Sequence, residues 1–221
     1  VADYTDEVSE QTVGFIIGPR LNAVGRLDDA RLACELLMCE DSDEATFLAE
    51  EVDHFNTERK AIVETITEEA LVLAQEQIDT NAQFLVLAKE DWNEGVLGIV
   101  ASRIVEQYHL PTIVLNVDIE QNHAKGSARS IEQVSMFEFL QNNSELIQKF
   151  GGHHMAAGMT LDIDAIESLK KALNDEMYKL TEGKPLLPQL TVDSEIQVSD
   201  ISVENIFDLE RLRPFGTDIS A

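Results

Sequence analysis

Apolar positions along this chain repeat with two different periods, and the change of period predicts its elements. From Asp28 to Cys39, Ala30, Leu32, Ala33, Leu36 and Leu37 recur at helical spacing. A second helical pattern starts at Ser42 and runs through Ala45, Leu48, Val52, Phe55, Ile62, Ile66, Leu73 and Ile78 without a Gly or Pro. Ser42 is the predicted N-cap, with Asp43 and Glu44 favourable in the first turn. About 35 residues at 1.5 Å each make a helix of about 50 Å, which suits a connector between two lobes. Beyond it the apolar runs shorten. Gln83 to Ala88 predicts a buried strand, Gly95 to Tyr108 a helix closed by Leu110-Pro111, and Thr112 to Val117 a second strand. A third strand is predicted over Ala124 to Ser130 and a helix over Ser135 to Phe150, ending at a glycine pair. Ala156 to Ile163 returns as a strand and Asp164 to Leu180 as a helix. This alternation predicts an α/β lobe with a mixed sheet. Gly183 to Pro188 reads as a linker, and Leu190 to Ile196 alternates like one more strand.

Composition changes this picture in two respects. At 221 residues the chain holds one large or two small domains. No apolar run approaches the length of a membrane span, and no signal-peptide pattern opens the chain, so a cytoplasmic protein is expected. Cys34 and Cys39 fall in one helical pattern and read as core or surface thiols. The net charge of −26 is awkward for a polyanion binder. Its distribution is uneven, however. Eleven acids and only Arg59 and Lys60 lie between Glu40 and Glu69, whereas Arg20, Arg26, Arg103, Lys125, Arg129 and Lys149 sit beside glycine-containing motifs.

The densest chemistry lies at Gly151-Gly152-His153-His154-Met155-Ala156-Ala157-Gly158. Successive glycines expose N–H groups that can form an anion-binding concavity, and the alanines keep the surrounding wall low. The same glycines would also serve as a helix C-cap. Neighbouring side chains on an extended segment point opposite ways, so one histidine of the pair is expected to face a ligand. Ser127-Ala128-Arg129-Ser130 offers a guanidinium fork and two hydroxyls to a phosphate; the alternative is a surface arginine on a strand. Arg20, Asn22 and Arg26 near a helix start suit backbone phosphates, or else an arginine there pairs with Asp28 or Asp29. Trp92 serves either as a platform for a base or as core.

Together these segments resemble the RecJ family of 5′-to-3′ single-strand-specific DNA exonucleases, in the DHH superfamily. The resemblance rests on Gly18-Pro19-Arg20-Leu21-Asn22-Ala23 with Gly25-Arg26, on Asn56 and Arg59, and on Trp92 to Arg103. It extends to Ser127-Ala128-Arg129-Ser130, to Gly151-Gly152-His153 with Ala156-Ala157-Gly158, and to Arg213-Pro214-Phe215-Gly216. The last is similar to the start of an oligonucleotide-binding domain. Val1-Ala2-Asp3 is similar to the end of a motif that supplies a metal aspartate, but the gap to Gly18 is far shorter than the family needs. No Asp-His-His is present.

The resemblance implies an α/β fold in which a mixed-sheet DHH-associated lobe is joined by a long connecting helix to the helical end of a catalytic lobe. Residues 1–41 would end the catalytic domain, 42–80 form the connecting helix, 81–182 the DHH-associated domain, and 183–221 a linker and a truncated oligonucleotide-binding domain. Substrate or phosphate contacts are expected from Arg20, Asn22, Arg26, Ser127, Arg129, Ser130, Gly151, Gly152, His153 and Gly158, with His153 assisting catalysis. No metal ligand is expected in this chain; Mn2+ or Mg2+ would be bound by a preceding domain, leaving this portion inactive alone. The partners implied are single-stranded DNA and a single-strand-binding protein, with no membrane. The alternatives are a superfamily phosphodiesterase for short oligonucleotides or cyclic dinucleotides, and a non-catalytic nucleic-acid-binding module.

Overall fold

The computed structural model describes residues 8–215 apart from Thr191 and Asp193. Asp3 and Gly216 therefore lie outside the described residues. The chain divides into two compact units, residues 1–56 with 189–221 and residues 57–188.

In the first unit a π-helical turn, Thr12–Ile17, runs directly into α1 (Gly18–Leu27), with Pro19 in the first turn where its missing N–H costs nothing. The motif residues 18–27 are thus themselves helical rather than a lead into a helix. The helix expected over Asp28 to Cys39 is confined to α2 (Arg31–Met38). Val24, Ala33 and Val52 form a small buried cluster with Leu21, Leu32, Leu36 and Phe55 around it. Cys34 and Cys39 are free thiols. Near the chain end, the described residues between 190 and 196 adopt neither helix nor strand. The alternating pattern there is followed by α7 (Val203–Glu210), capped by the Ser202 side chain.

The long helix α3 (Ser42–Asp79) carries the chain from the first unit into the second. Its cap is Asp41 rather than Ser42: the Asp41 carboxylate accepts the amides of Asp43 and Glu44 at 3.0 and 2.9 Å.

The second unit is a five-stranded mixed sheet: β1 (Leu85–Glu90), β2 (Thr112–Asp118), β3 (His123–Arg129), β4 (Lys149–Gly152) and β5 (Ala156–Asp162) in the order β1-β2-β3-β5-β4. β1 and β2 are parallel and joined through α4 (Leu97–Tyr108); every other pair is antiparallel. One face carries Phe84, Val86, Ile113, Leu115, Ala124, Ala128, Ala157, Met159 and Leu161 onto α5 (Met136–Asn142) and α6 (Ile166–Thr181), through Met136, Phe139, Leu140, Leu169 and Leu173. Burying one such side chain contributes about 1.5–3 kcal/mol, so this layer dominates the lobe's stability. The opposite face is covered over β2 and β3 by α4, which buries Leu97, Val100, Ala101 and Ile104.

The sequence placed one helix over Ser135 to Phe150. The structure stops α5 at Asn142, inserts a 3-10 turn at Ser144–Leu146, and uses Lys149–Gly152 as edge strand β4. Asn143, buried, ends the helix by turning its side chain amide onto the Phe139 carbonyl at 2.8 Å and onto Glu176 at 2.9 Å. The glycine pair is therefore in a strand and not a helix C-cap.

Trp92 is buried at 3% exposure, and its indole N–H donates to Glu69 Oε2 at 2.7 Å; no face remains on which a base could stack. Lys89 Nζ meets the other oxygen of Glu69 at 2.7 Å. Hydrogen bonding from Lys89 first, then from Trp92, holds the Glu69 carboxyl below its ordinary value of 4.5. A depressed acid contributes stability above its unfolded pKa, and the contribution is lost as pH falls through the folded value. Trp92, the single tryptophan, reports it. Its fluorescence should stay constant down to the ordinary carboxylate range and change only below it. Glu69→Gln should remove that transition; an unchanged transition would assign it to another acid.

Candidate nucleic-acid interface

Strand alternation builds the site. On β3, Ala124 and Ala128 point into the core, so Lys125, Ser127 and Arg129 take the other face. On β5, Ala157, Met159 and Leu161 are buried, which leaves Ala156, Gly158 and Thr160 on the same side as those three. On β4, Lys149 and Gly151 share it. The register aligns these residues in rows. Ser127 is opposite Gly158, and Gly158 opposite Gly151; Lys125 is opposite Thr160, and Thr160 opposite Lys149. Arg129 is opposite Ala156, whose carbonyl accepts the His153 amide at 2.8 Å. A cleft of about 570 Å3 lies over this face, lined by Lys125, Ser127, Lys149, Gly151, Gly158 and Thr160 with Glu94 and Gly95 along one wall.

The glycines here have different reasons to be glycine. A Cβ on Gly126 would collide with the Val114 carbonyl oxygen, and one on Gly152 with that of Ala156, so packing alone requires both. A Cβ on Gly151 would meet nothing within 4 Å, and one on Gly158 only the Gly126 oxygen at 3.8 Å. Neither has a positive φ. Nothing among the described residues requires glycine at 151 or 158. What their missing side chains provide is bare backbone on the cleft floor.

Arg129 is seated against α4. Its Nη1 donates to the Ala128 carbonyl at 2.8 Å, and a Cβ on Gly98 would come within 2.8 Å of Nη2. Gly98, in the first turn of α4, therefore makes the room that the guanidinium occupies. The preceding turn is fixed by Asn93, whose side chain accepts the Gly95 amide at 2.9 Å. Lys125 Nζ lies 2.5 Å from Glu94 Oε2.

The two histidines of the β4–β5 hairpin are treated differently. His154 Nε2–H donates to the Glu132 carbonyl at 2.9 Å, and its own carbonyl accepts the Met136 amide at 2.8 Å. His153 is exposed one residue beyond Gly152, where continuing the β4 alternation puts it on the side of Lys149 and Gly151.

The structure thus brings Ser127, Arg129, Gly151, Gly158 and the His153 position onto one face. It does not bring Ser130 there: that residue is 3% exposed and its hydroxyl donates to the Val134 carbonyl at 2.6 Å. Gly152 serves close strand packing. Arg20 is bound within the first unit, its Nε donating to Asp53 Oδ1 at 2.7 Å and Nη1 to the Ile16 carbonyl at 2.9 Å, so its carboxylate partner is neither Asp28 nor Asp29. Asn22 and Arg26 are exposed on α1. Sequence reasoning assigned no role to Gly98 or Thr160. Gly98 stands in a helix pattern with nothing to mark its neighbour, and Thr160 acquires its place only through the register.

Residues 81–179 match the DHHA1 domain, so every strand of this face belongs to a domain of that class. Over nearly its whole length the chain is similar to one portion of RecJ proteins. It is 45% identical over 211 residues to the single-stranded-DNA-specific exonuclease RecJ of Bacillus subtilis, covering 95% of this chain and 27% of that protein. To RecJ of Escherichia coli it is 33% identical over 217 residues, covering 95% and 37%. RecJ of Thermus thermophilus in complex with Mg2+ superposes with a TM-score of 0.78 at 29% identity, over 94% of this chain and 32% of that one. The same protein in complex with Mn2+ gives 0.69 at 31%, over 77% and 25%. The chain thus spans well under half the length of the relatives it matches. Among the described residues no three His, Cys, Asp or Glu side chains converge as a metal-binding group. No described helix is long and apolar enough to cross a membrane.

Proposed function

We propose that this chain is the substrate-binding C-terminal part of a RecJ-like 5′-to-3′ single-stranded-DNA exonuclease, and that the open face of β3, β5 and β4 holds the DNA backbone. The divalent Mn2+ or Mg2+ of the reaction would be held by parts of the longer protein outside this chain. The observation that carries the reading is the pair Gly151 and Gly158. They are cross-strand partners beside Ser127, and no atom among the described residues explains their lack of side chains. Arg129 supplies the fork for a phosphate, Ser127 a hydroxyl, the glycines a close approach, and His153 a polar side chain at the rim. Asn22 and Arg26 are proposed as a separate backbone contact on the first unit, with Arg20 positioning α1 on Asp53. A single-strand-binding protein as partner, a cytoplasmic location and roles in repair and recombination rest on the family resemblance alone.

The test is Gly158→Ala in the full-length protein. In a strand conformation that alanine accepts, Gly→Ala should raise stability by about 0.4–1 kcal/mol by narrowing the unfolded ensemble. The added methyl should nevertheless weaken single-strand binding about tenfold, or ~1.4 kcal/mol. A stabilised protein with reduced binding marks a glycine kept for its ligand; unchanged binding would remove the face from the function. Gly126→Ala is the contrasting control and should lose stability, since its Cβ collides with the backbone of β2.

A further inference from the structure

Two lysines on this face are not explained by the row at Ser127. In a chain of 42 acids and 16 bases, Lys125 and Lys149 both line one cleft. The register places them on either side of Thr160, so their Cα atoms are roughly 9–10 Å apart across three strands. Nothing acidic stands between them on β5. Two like charges facing one opening repel unless an anion lies between them. Lys125 has an internal counter-ion, Glu94, at 2.5 Å on the cleft wall. Among the described residues no ion pair is formed by Lys149, which is exposed.

We propose that Lys125, Thr160 and Lys149 form a second phosphate subsite, which takes the phosphodiester next along the strand from the one held at Ser127, Gly158 and Gly151, and that Glu94 holds Lys125 until that phosphate replaces it. The proposal rests on this face being the single-strand site. Residues two apart on a strand are about 6.6–6.8 Å apart, comparable with the step between successive phosphates of an extended strand. The rows at 127 and 125 therefore match the repeat of the ligand. The lysines act as point charges and Thr160 as a hydroxyl donor, a combination that grips a backbone without reading its bases. Glu94 has a second effect: a partly neutralised Lys125 lowers the affinity for adventitious anions, so the subsite favours a ligand already anchored in the neighbouring row.

The experiment measures binding of a labelled oligothymidylate by the full-length protein in EDTA, across a salt series, for Lys149→Ala, Lys149→Gln, Glu94→Gln and Lys179→Ala. Lys179 lies exposed on α6 and serves as a charge-matched control. Removing one lysine–phosphate interaction should reduce the slope of log affinity against log salt by about 0.7. Both Lys149 variants should show that reduction and a several-fold weaker affinity at low salt, with melting curves like that of Lys179→Ala. Glu94→Gln should bind more tightly than the parent protein at low salt. Lys149 variants that match Lys179→Ala in slope and affinity, while Gly158→Ala still weakens binding, would overturn the subsite and leave the face as the strand site. No effect from Lys149, Gly158 and Arg129 variants alike would overturn the face itself.

Discussion

Arg129→Ala in the full-length protein should lower kcat/KM on single-stranded DNA about 10- to 150-fold, because a charge-assisted contact to phosphate contributes roughly 1.5–3 kcal/mol. The side chain is half-buried between β3 and the first turn of α4, held by the Ala128 carbonyl and by the space at Gly98. That seating fixes the fork before the ligand arrives, so binding costs little rotamer entropy. Arg129→Lys should recover only part of the loss, since an ammonium cannot engage two oxygens in the same plane. Gly98→Ala separates the position of the guanidinium from its presence. The new Cβ would come within 2.8 Å of Nη2 and must displace it, while alanine in a helix is favoured over glycine by about 1 kcal/mol. The variant should therefore be no less stable and yet less active. Steady-state kinetics beside melting curves decide the matter. Full activity of Arg129→Ala with a lowered melting temperature would make the arginine a strut between β3 and α4.

Much of the second unit was legible from periodicity, because its elements follow simple rules. Leu97, Val100, Ala101 and Ile104 repeat as a helix does, and the apolar runs of β1 and β2 are buried on both faces. The stretch 143–152 was not legible. Phe150 and Ile147 extend the helical spacing of α5, and only the buried side chain bonds of Asn143 show that the helix has ended. The tail misled in the opposite sense, since an alternating pattern needs a neighbouring strand to become one, and the described residues there have none. In the site, Ser127, Arg129, Gly151 and Gly158 could be singled out by residue type. Their assembly could not, because it depends on a register that pairs β3 with β5 and β5 with β4. Ser130 shows the limit of motif reasoning: it adjoins Arg129 in sequence but, one residue on, lies at the other parity and is consumed by Val134.

His153→Ala should cost far more activity than His154→Ala, although the two are neighbours. The β4–β5 hairpin holds them in different ways. His154 is fixed twice, through its ring N–H to Glu132 and its carbonyl to the Met136 amide, and it ties the hairpin to the start of α5. Its replacement removes one hydrogen bond, about 0.5–1.5 kcal/mol of stability, and leaves the face intact. His153 is linked by its backbone amide to Ala156, the partner of Arg129, and follows Gly151 by two residues; on the proposed reading its imidazole stands at the rim beside the phosphate that Arg129 holds. If it transfers a proton in the reaction, alanine should lower kcat by about 10²–10⁴-fold. If it only donates a hydrogen bond to the backbone, His153→Gln should restore most of the activity that alanine removes. Both alanine variants should be assayed in the full-length protein, with melting curves run in parallel. A larger loss at His154 with unchanged folding would place the wrong histidine over the substrate, and the hairpin would have to turn its rim the other way when DNA binds.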